Sequence, residues 1–135
     1  MSLILRALSV AALPALALPA HAAEPMDAAQ FEAYVTGKTL TYSQGGQVFG
    51  IEEYLPGRKV RWQFTQDECQ YGSWFQKEDL ICFVYEYDST EHCWTFWKEG
   101  DVLHALSVSD APGAALSEVA QTTNGLACPG PDVGV

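Results

Sequence analysis

A chain of 135 residues with 7 basic and 17 acidic side chains, formal charge −10, has room for one domain. The acidic excess excludes a nucleic-acid partner, since affinity for a phosphate backbone comes from counterions displaced by Lys and Arg, and it disfavours anionic membrane surfaces. Four cysteines and an aromatic content of 12% point instead to a small stapled core rich in rings.

Residues 1–22 read as an export signal. Arg6 supplies the positive start, residues 7–20 form an apolar run broken by Pro14 and Pro19, and Ala20-His21-Ala22 obeys the small-x-small rule for cleavage after Ala22. A spanning helix needs roughly 20 unbroken apolar residues, so the run predicts a removed signal and no membrane insertion afterwards. No cysteine follows it to mark a lipoprotein. The expected location is the periplasm or the exterior. There, four cysteines form two disulfides, for which sequence alone allows three pairings.

The domain proper is expected over residues 23–128, with a mobile tail at 129–135. Residues 26–39 predict one short N-terminal helix, with Asp27 as N-cap, Phe31, Tyr34 and Val35 on one face, and Gly37 as the stop. Beyond it the apolar period changes to two. The segments KTLTYS, QVFGIEEYL, RKVRWQF, CQYGSWFQ, LICFVYEY, HCWTFW and DVLHALSV are separated by short turns, and SEVAQTT supplies an eighth candidate strand. The fold class is therefore mainly β: an antiparallel meander of seven or eight strands. Such a sheet hides its edges by curling into a small barrel or half-barrel.

Residues 80–97 concentrate the chemistry of the chain. A four-residue loop at Asp88–Glu91 places Ile81 opposite Phe96 and Phe83 opposite Trp94, with Tyr85 on the same face. Cys82 and Cys93 then share the other face in diagonal positions. A one-residue bulge brings them comfortably within bridging distance. The preferred pairing is Cys82 with Cys93, leaving Cys69 with Cys128 to pin the C-terminal segment onto the sheet.

A metal site is disfavoured, because no C-x-x-C or H-x-x-x-H spacing occurs and the adjacent His92 and Cys93 point to opposite faces of a strand. No cofactor is expected. No nucleophile elbow surrounds Ser73, Ser107 or Ser109. The acidic pairs Glu52-Glu53, Asp67-Glu68 and Glu78-Asp79 read as solvated charge. No catalytic residue is assigned, and the chain is not expected to be an enzyme. The weakest alternative pairs Glu52 or Glu53 with His104.

The rings remain. Val60, Trp62 and Phe64 alternate onto one face, and both faces of CWTFW carry aromatics, more than one interior requires. The candidate ligand-binding residues are Trp62, Phe64, Phe83, Tyr85, Trp94 and Phe96.

The succession TGKTLTY, EEYLPGRKVRW, Cys69-x-x-Gly72-x-Trp74, LICFVYE and CWTFWKEGD resembles small exported proteins of alphaproteobacteria that form a family of unknown function. The resemblance spans about residues 36–104. It implies a signal peptide, a periplasmic location and a compact, lipocalin-like antiparallel sheet, and it transfers no catalytic residue. Cys82 and Cys93 match the paired cysteines of that family. The expected function is a non-catalytic binding module for a small apolar or aromatic ligand or for an envelope protein. The alternative is an inhibitor of a basic hydrolase such as lysozyme, to which an acidic, disulfide-linked β domain is electrostatically suited.

Overall fold

A computed structural model describes residues 23–64 and 68–128. The expected signal segment 1–22 and tail 129–135 lie outside the described residues. Helix α1 (Ala28–Val35) is followed by eight strands: β1 (Thr39–Gln44), β2 (Gln47–Leu55), β3 (Lys59–Gln63), β4 (Gln70–Lys77), β5 (Leu80–Tyr85), β6 (Asp88–Glu99), β7 (Val102–Ser107) and β8 (Leu116–Thr122). Each strand pairs antiparallel with the next, and β8 returns to pair with β1. The expected meander is thus a closed barrel of eight strands. Closure leaves no row of backbone groups bare, which is why so small a sheet curls completely.

The helix forms where its cap demands. The Gln30 N–H donates to Asp27 Oδ1 at 2.8 Å and the Asp27 N–H donates to Gln30 Oε1 at 2.9 Å, a reciprocal capping box. Gly37, at φ +82°, reverses the chain into β1, a conformation few other residues adopt without strain. The face carrying Phe31 and Val35 is wholly buried. The Phe31 ring lies 4.4 Å from that of Phe96, 5.0 Å from Trp74 and 5.6 Å from Tyr54, stopping one end of the barrel. Outside this plug, Arg58 bonds Glu32 at 2.9 Å and sits 4.8 Å over the Trp74 ring.

The same helix secures the weakest seam. Strands β7 and β8 pair at only two positions, His104 with Ser117 and Ala105 with Leu116. Next to them the Leu103 N–H donates to the Glu118 carboxylate at 3.2 Å, so a side chain takes the place of the missing ladder carbonyl. Tyr34 from α1 donates to the same oxygen at 2.7 Å, with the ammoniums of Lys38 and Lys98 at 3.9 and 4.7 Å from its ring centre. Burial and the Glu118 carboxylate push the Tyr34 phenol up to about 12.

Beyond β8 the chain crosses the outer wall. Thr39 Oγ1 donates to the carbonyl of Asn124 at 2.8 Å, the Leu126 N–H donates to Glu53 Oε2 at 2.9 Å, and Cys128 is bonded to Cys69. Glu53 also receives Arg61 at 2.7 Å. Gly125 passes so near that a Cβ would sit 2.7 Å from the Glu53 carboxylate. The second bridge joins Cys82 to Cys93, so both expected pairings are present.

The hairpin register differs from expectation. Cys82 lies directly opposite Cys93, Cα to Cα 4.0 Å, while Ile81 faces Trp94 and Phe83 faces His92. The reason lies at the tip. Residues 88–91 do not form a loop; Val84 faces the run Ser89–Glu91 across a wide irregularity, and the turn contracts onto Glu86-Tyr87. Asp88 organises the extra residues by accepting from the Thr90 N–H at 2.9 Å and bonding His92 at 3.0 Å. The register moves by two, an even number, so every side chain keeps its expected face.

Candidate functional site

The turns after β2, β4 and β6 lie at the plugged end with α1, while Gly45-Gly46, Glu86-Tyr87 and the β7–β8 connection lie at the other end. From that open end a cavity of about 350 Å³ runs into the barrel. Such a volume is at the lower end of the roughly 300–1,000 Å³ typical of small-molecule sites.

All six residues singled out from the sequence line it. Trp62 and Phe64 come from the end of β3, Phe83 and Tyr85 from β5, and Trp94 and Phe96 from β6. Alternation explains their convergence, since in a closed barrel every second residue of every strand points inward. At the mouth Phe64 is 56% exposed. It meets Trp62 edge-on at 5.0 Å, and Phe49 completes an aromatic entrance 5.8 Å from Trp62 and 6.3 Å from Trp94. Phe49 breaks the alternation of β2. It is the extra residue where the register slips, with Tyr42 facing Gly50 and Ser43 facing Val48.

Two glycines seat the inner rings. A Cβ on Gly50 would lie 2.3 Å from the Trp62 ring, and one on Gly72 would meet the Val84 carbonyl at 2.4 Å and the Tyr85 ring at 2.8 Å. Trp62 and Tyr85 thus lie flat on bare backbone, and the space that remains is the cavity.

The largest departure from expectation is Glu52. Of the acids taken to be solvated, Glu78 and Asp79 are exposed at a turn and Asp67 lies outside the described residues. Glu52 and Glu53 are instead 2% and 7% exposed. As neighbours on a strand they diverge: Glu53 faces out beneath the C-terminal crossing, and Glu52 faces into the cavity. Among the described residues the Glu52 carboxyl has a single partner, the Tyr85 hydroxyl, at 3.1 and 3.2 Å from its two oxygens. Burial pushes it well above the ordinary glutamate value, against the opposing pull of the Tyr85 hydrogen bond, and so favours the neutral acid. Below it Tyr42 and Tyr54 share a 2.8 Å hydrogen bond, and burial keeps both phenols protonated.

The alternation of QVFGIEEYL puts Gly50, Glu52 and Tyr54 on one face, the signal that the first glutamate of the pair is internal. Asp88 and His92, also unassigned from sequence, stand at the mouth. Hydrogen bonds from Thr90, then His92, hold the Asp88 carboxyl below the usual aspartate range.

His104 is not brought to either glutamate. It faces outward between Leu103 and Ala105, stacked on Trp97 at 5.6 Å and bonded to Ser117 at 3.0 Å. Among the described residues one group has the spacing of a metal site, Cys82, Glu91 and Cys93, and both of its sulfurs are bonded to each other. No described helix is long and apolar enough to cross a membrane. Two disulfides fit an oxidising compartment. The chain matches no family model, no curated protein and no solved structure.

Proposed function

We propose that the protein is an exported, periplasmic binding module that holds a small apolar or aromatic ligand inside the barrel and performs no chemistry on it. The observation that carries this reading is the cavity of about 350 Å³, walled largely by aromatic rings, in a barrel whose other end is plugged by Phe31. Aromatic walls bury a ligand with little loss of side-chain entropy, since their rings are already fixed by packing. The export signal at 1–22, the two bridges and the likeness of the strand motifs to small exported proteins support the location.

Calorimetric titration with 2-phenylethanol and 1-octanol, paired with A105F, tests the reading. Ala105 lines the cavity and is buried, so a phenyl group there fills the ligand's space. Binding by the natural chain that vanishes in a folded A105F variant supports it; no binding of either alcohol, or binding that survives A105F, sinks it.

A second reading, an inhibitor of a basic hydrolase, draws on the −10 charge and on Tyr87, 79% exposed at the tip of the β5–β6 turn. Capture of lysozyme that weakens with salt and with Y87A supports this reading, and the absence of capture at low salt removes it.

A further inference from the structure

A cavity built only for apolar ligands has no use for a carboxyl on its inner wall. Taking such a group out of water is unfavourable unless hydrogen bonds replace those it loses, and Glu52 receives only the one hydroxyl of Tyr85. A glutamine would meet that hydroxyl equally well without the liability of ionisation, so the acid points to something it does inside the cavity.

The other groups around the chamber say what. No Lys or Arg is among the described residues lining it. The one imidazole, His92, is at the mouth and already bonded to Asp88. An anionic ligand would therefore meet Glu52 inside and Asp88 at the entrance with no opposing charge. A cation meets the reverse: a chain of net charge −10 that draws it in, a charged Asp88 at the mouth, the π faces of Trp62 and Tyr85, and the carboxyl between them.

We propose that the cavity takes a small organic amine, one protonated nitrogen on an apolar or aromatic body, whose ammonium pairs with Glu52 while Trp62, Phe83 and Tyr85 enclose the body. This rests on the reading of the barrel as a ligand-binding module and names its ligand class. On binding, the Glu52 carboxyl gives up its proton to the buffer and the ammonium donates to the carboxylate that remains. Among the described residues, the titratable groups facing Glu52 are the phenols of Tyr42 on β1, Tyr54 on β2 and Tyr85 on β5, with Asp88 and His92 of β6 at the mouth; β3, β4, β7 and β8 present Trp62, Gln70, Ala105 and Leu116, none of which titrates. The three phenols stay protonated, so the released proton comes from Glu52.

Three probes with the same ring and similar length decide the matter: 2-phenylethylamine, 2-phenylethanol and phenylacetate, titrated at pH 7 in two buffers of different ionisation enthalpy. A charge-assisted hydrogen bond worth about 1.5–3 kcal/mol predicts the amine about 10- to 100-fold tighter than the alcohol, with phenylacetate weakest. The amine is expected to release protons on binding and the alcohol none. In E52Q the amine falls to parity with the alcohol, while an unchanged near-ultraviolet circular dichroism spectrum reports an intact barrel. If 2-phenylethanol binds as tightly as the amine, or the amine releases no proton, the inference falls and the binding-module reading stands. If none of the three binds, both fall.

Discussion

The hydroxyl of Tyr85 stands 3.1 and 3.2 Å from the two oxygens of the Glu52 carboxyl, across an aromatic chamber in which no other described residue bonds this acid. The relationship sets how the stability of the barrel responds to pH. Glu52 is raised in the folded state, chiefly by burial. Its contribution is therefore present in full below the ordinary glutamate pKa, and it is lost as pH rises toward and through the raised folded value. In that interval the loss approaches about 1.4 kcal/mol per pH unit. Urea midpoints of the natural chain and E52Q at pH 4.5, 6 and 7.5 are expected to diverge steadily in favour of E52Q. Parallel curves would place the Glu52 carboxyl in contact with water.

Gly50 and Gly72 are expected to be intolerant in different ways. A methyl on Gly50 meets the Trp62 side chain, whereas one on Gly72 meets the backbone carbonyl of Val84. G50A should keep the fold, displace Trp62 and change both intrinsic tryptophan emission and ligand affinity. G72A should cost about 1–3 kcal/mol of stability through overpacking. Near-ultraviolet circular dichroism and urea titration separate the two outcomes.

The C-terminal crossing is expected to hold the outer wall. E53A strips Arg61 of its partner and frees the Leu126 N–H, removing charge-assisted bonds worth about 2–3 kcal/mol. The C69S/C128S double variant loses the closure of a loop spanning 59 positions, about 4 kcal/mol in the chain-entropy model. Both should lower the urea midpoint, and proteolysis should reach residues 123–128 first in each. A midpoint unchanged in C69S/C128S would show that the crossing is held without the bridge.

The plug gives a further test. F31A removes a fully buried ring that touches four others and should cost about 3–5 kcal/mol. D27A should cost about 1 kcal/mol through loss of the capping box. If thermal unfolding ranks D27A as the more damaging, the helix contributes through its cap rather than its plug.

Much of this architecture was legible in the order of residues. Period-two alternation locates each strand to within a few positions, and because inner and outer faces follow from parity, the sequence points to six of the rings that line the cavity. What escaped notice was local. Phe49 reaches the mouth through a slip in register. The tip residues 88–91 were absorbed into β6 by the side chain of Asp88 rather than spent on a loop. Both are departures from strict pleating, which a two-residue period does not encode. Glu52 escaped for another reason. A glutamate is so seldom buried that its identity outweighed its position, although its parity with Gly50 and Tyr54 was plain.

The pairing of β8 with β1 also has a bearing on the order of events during folding. The first strand keeps one naked edge until Leu116–Thr122 has been synthesised and delivered, since Thr39 pairs with Thr122 and no nearer segment supplies those partners. A chain that emerges amino terminus first therefore spends most of its emergence as an open ribbon, with Glu52 still in water and titrating normally. Contacts of such sequence separation make for slow, all-or-none assembly. The acid is shut away from water only at the final step, when the last strand docks and the barrel closes.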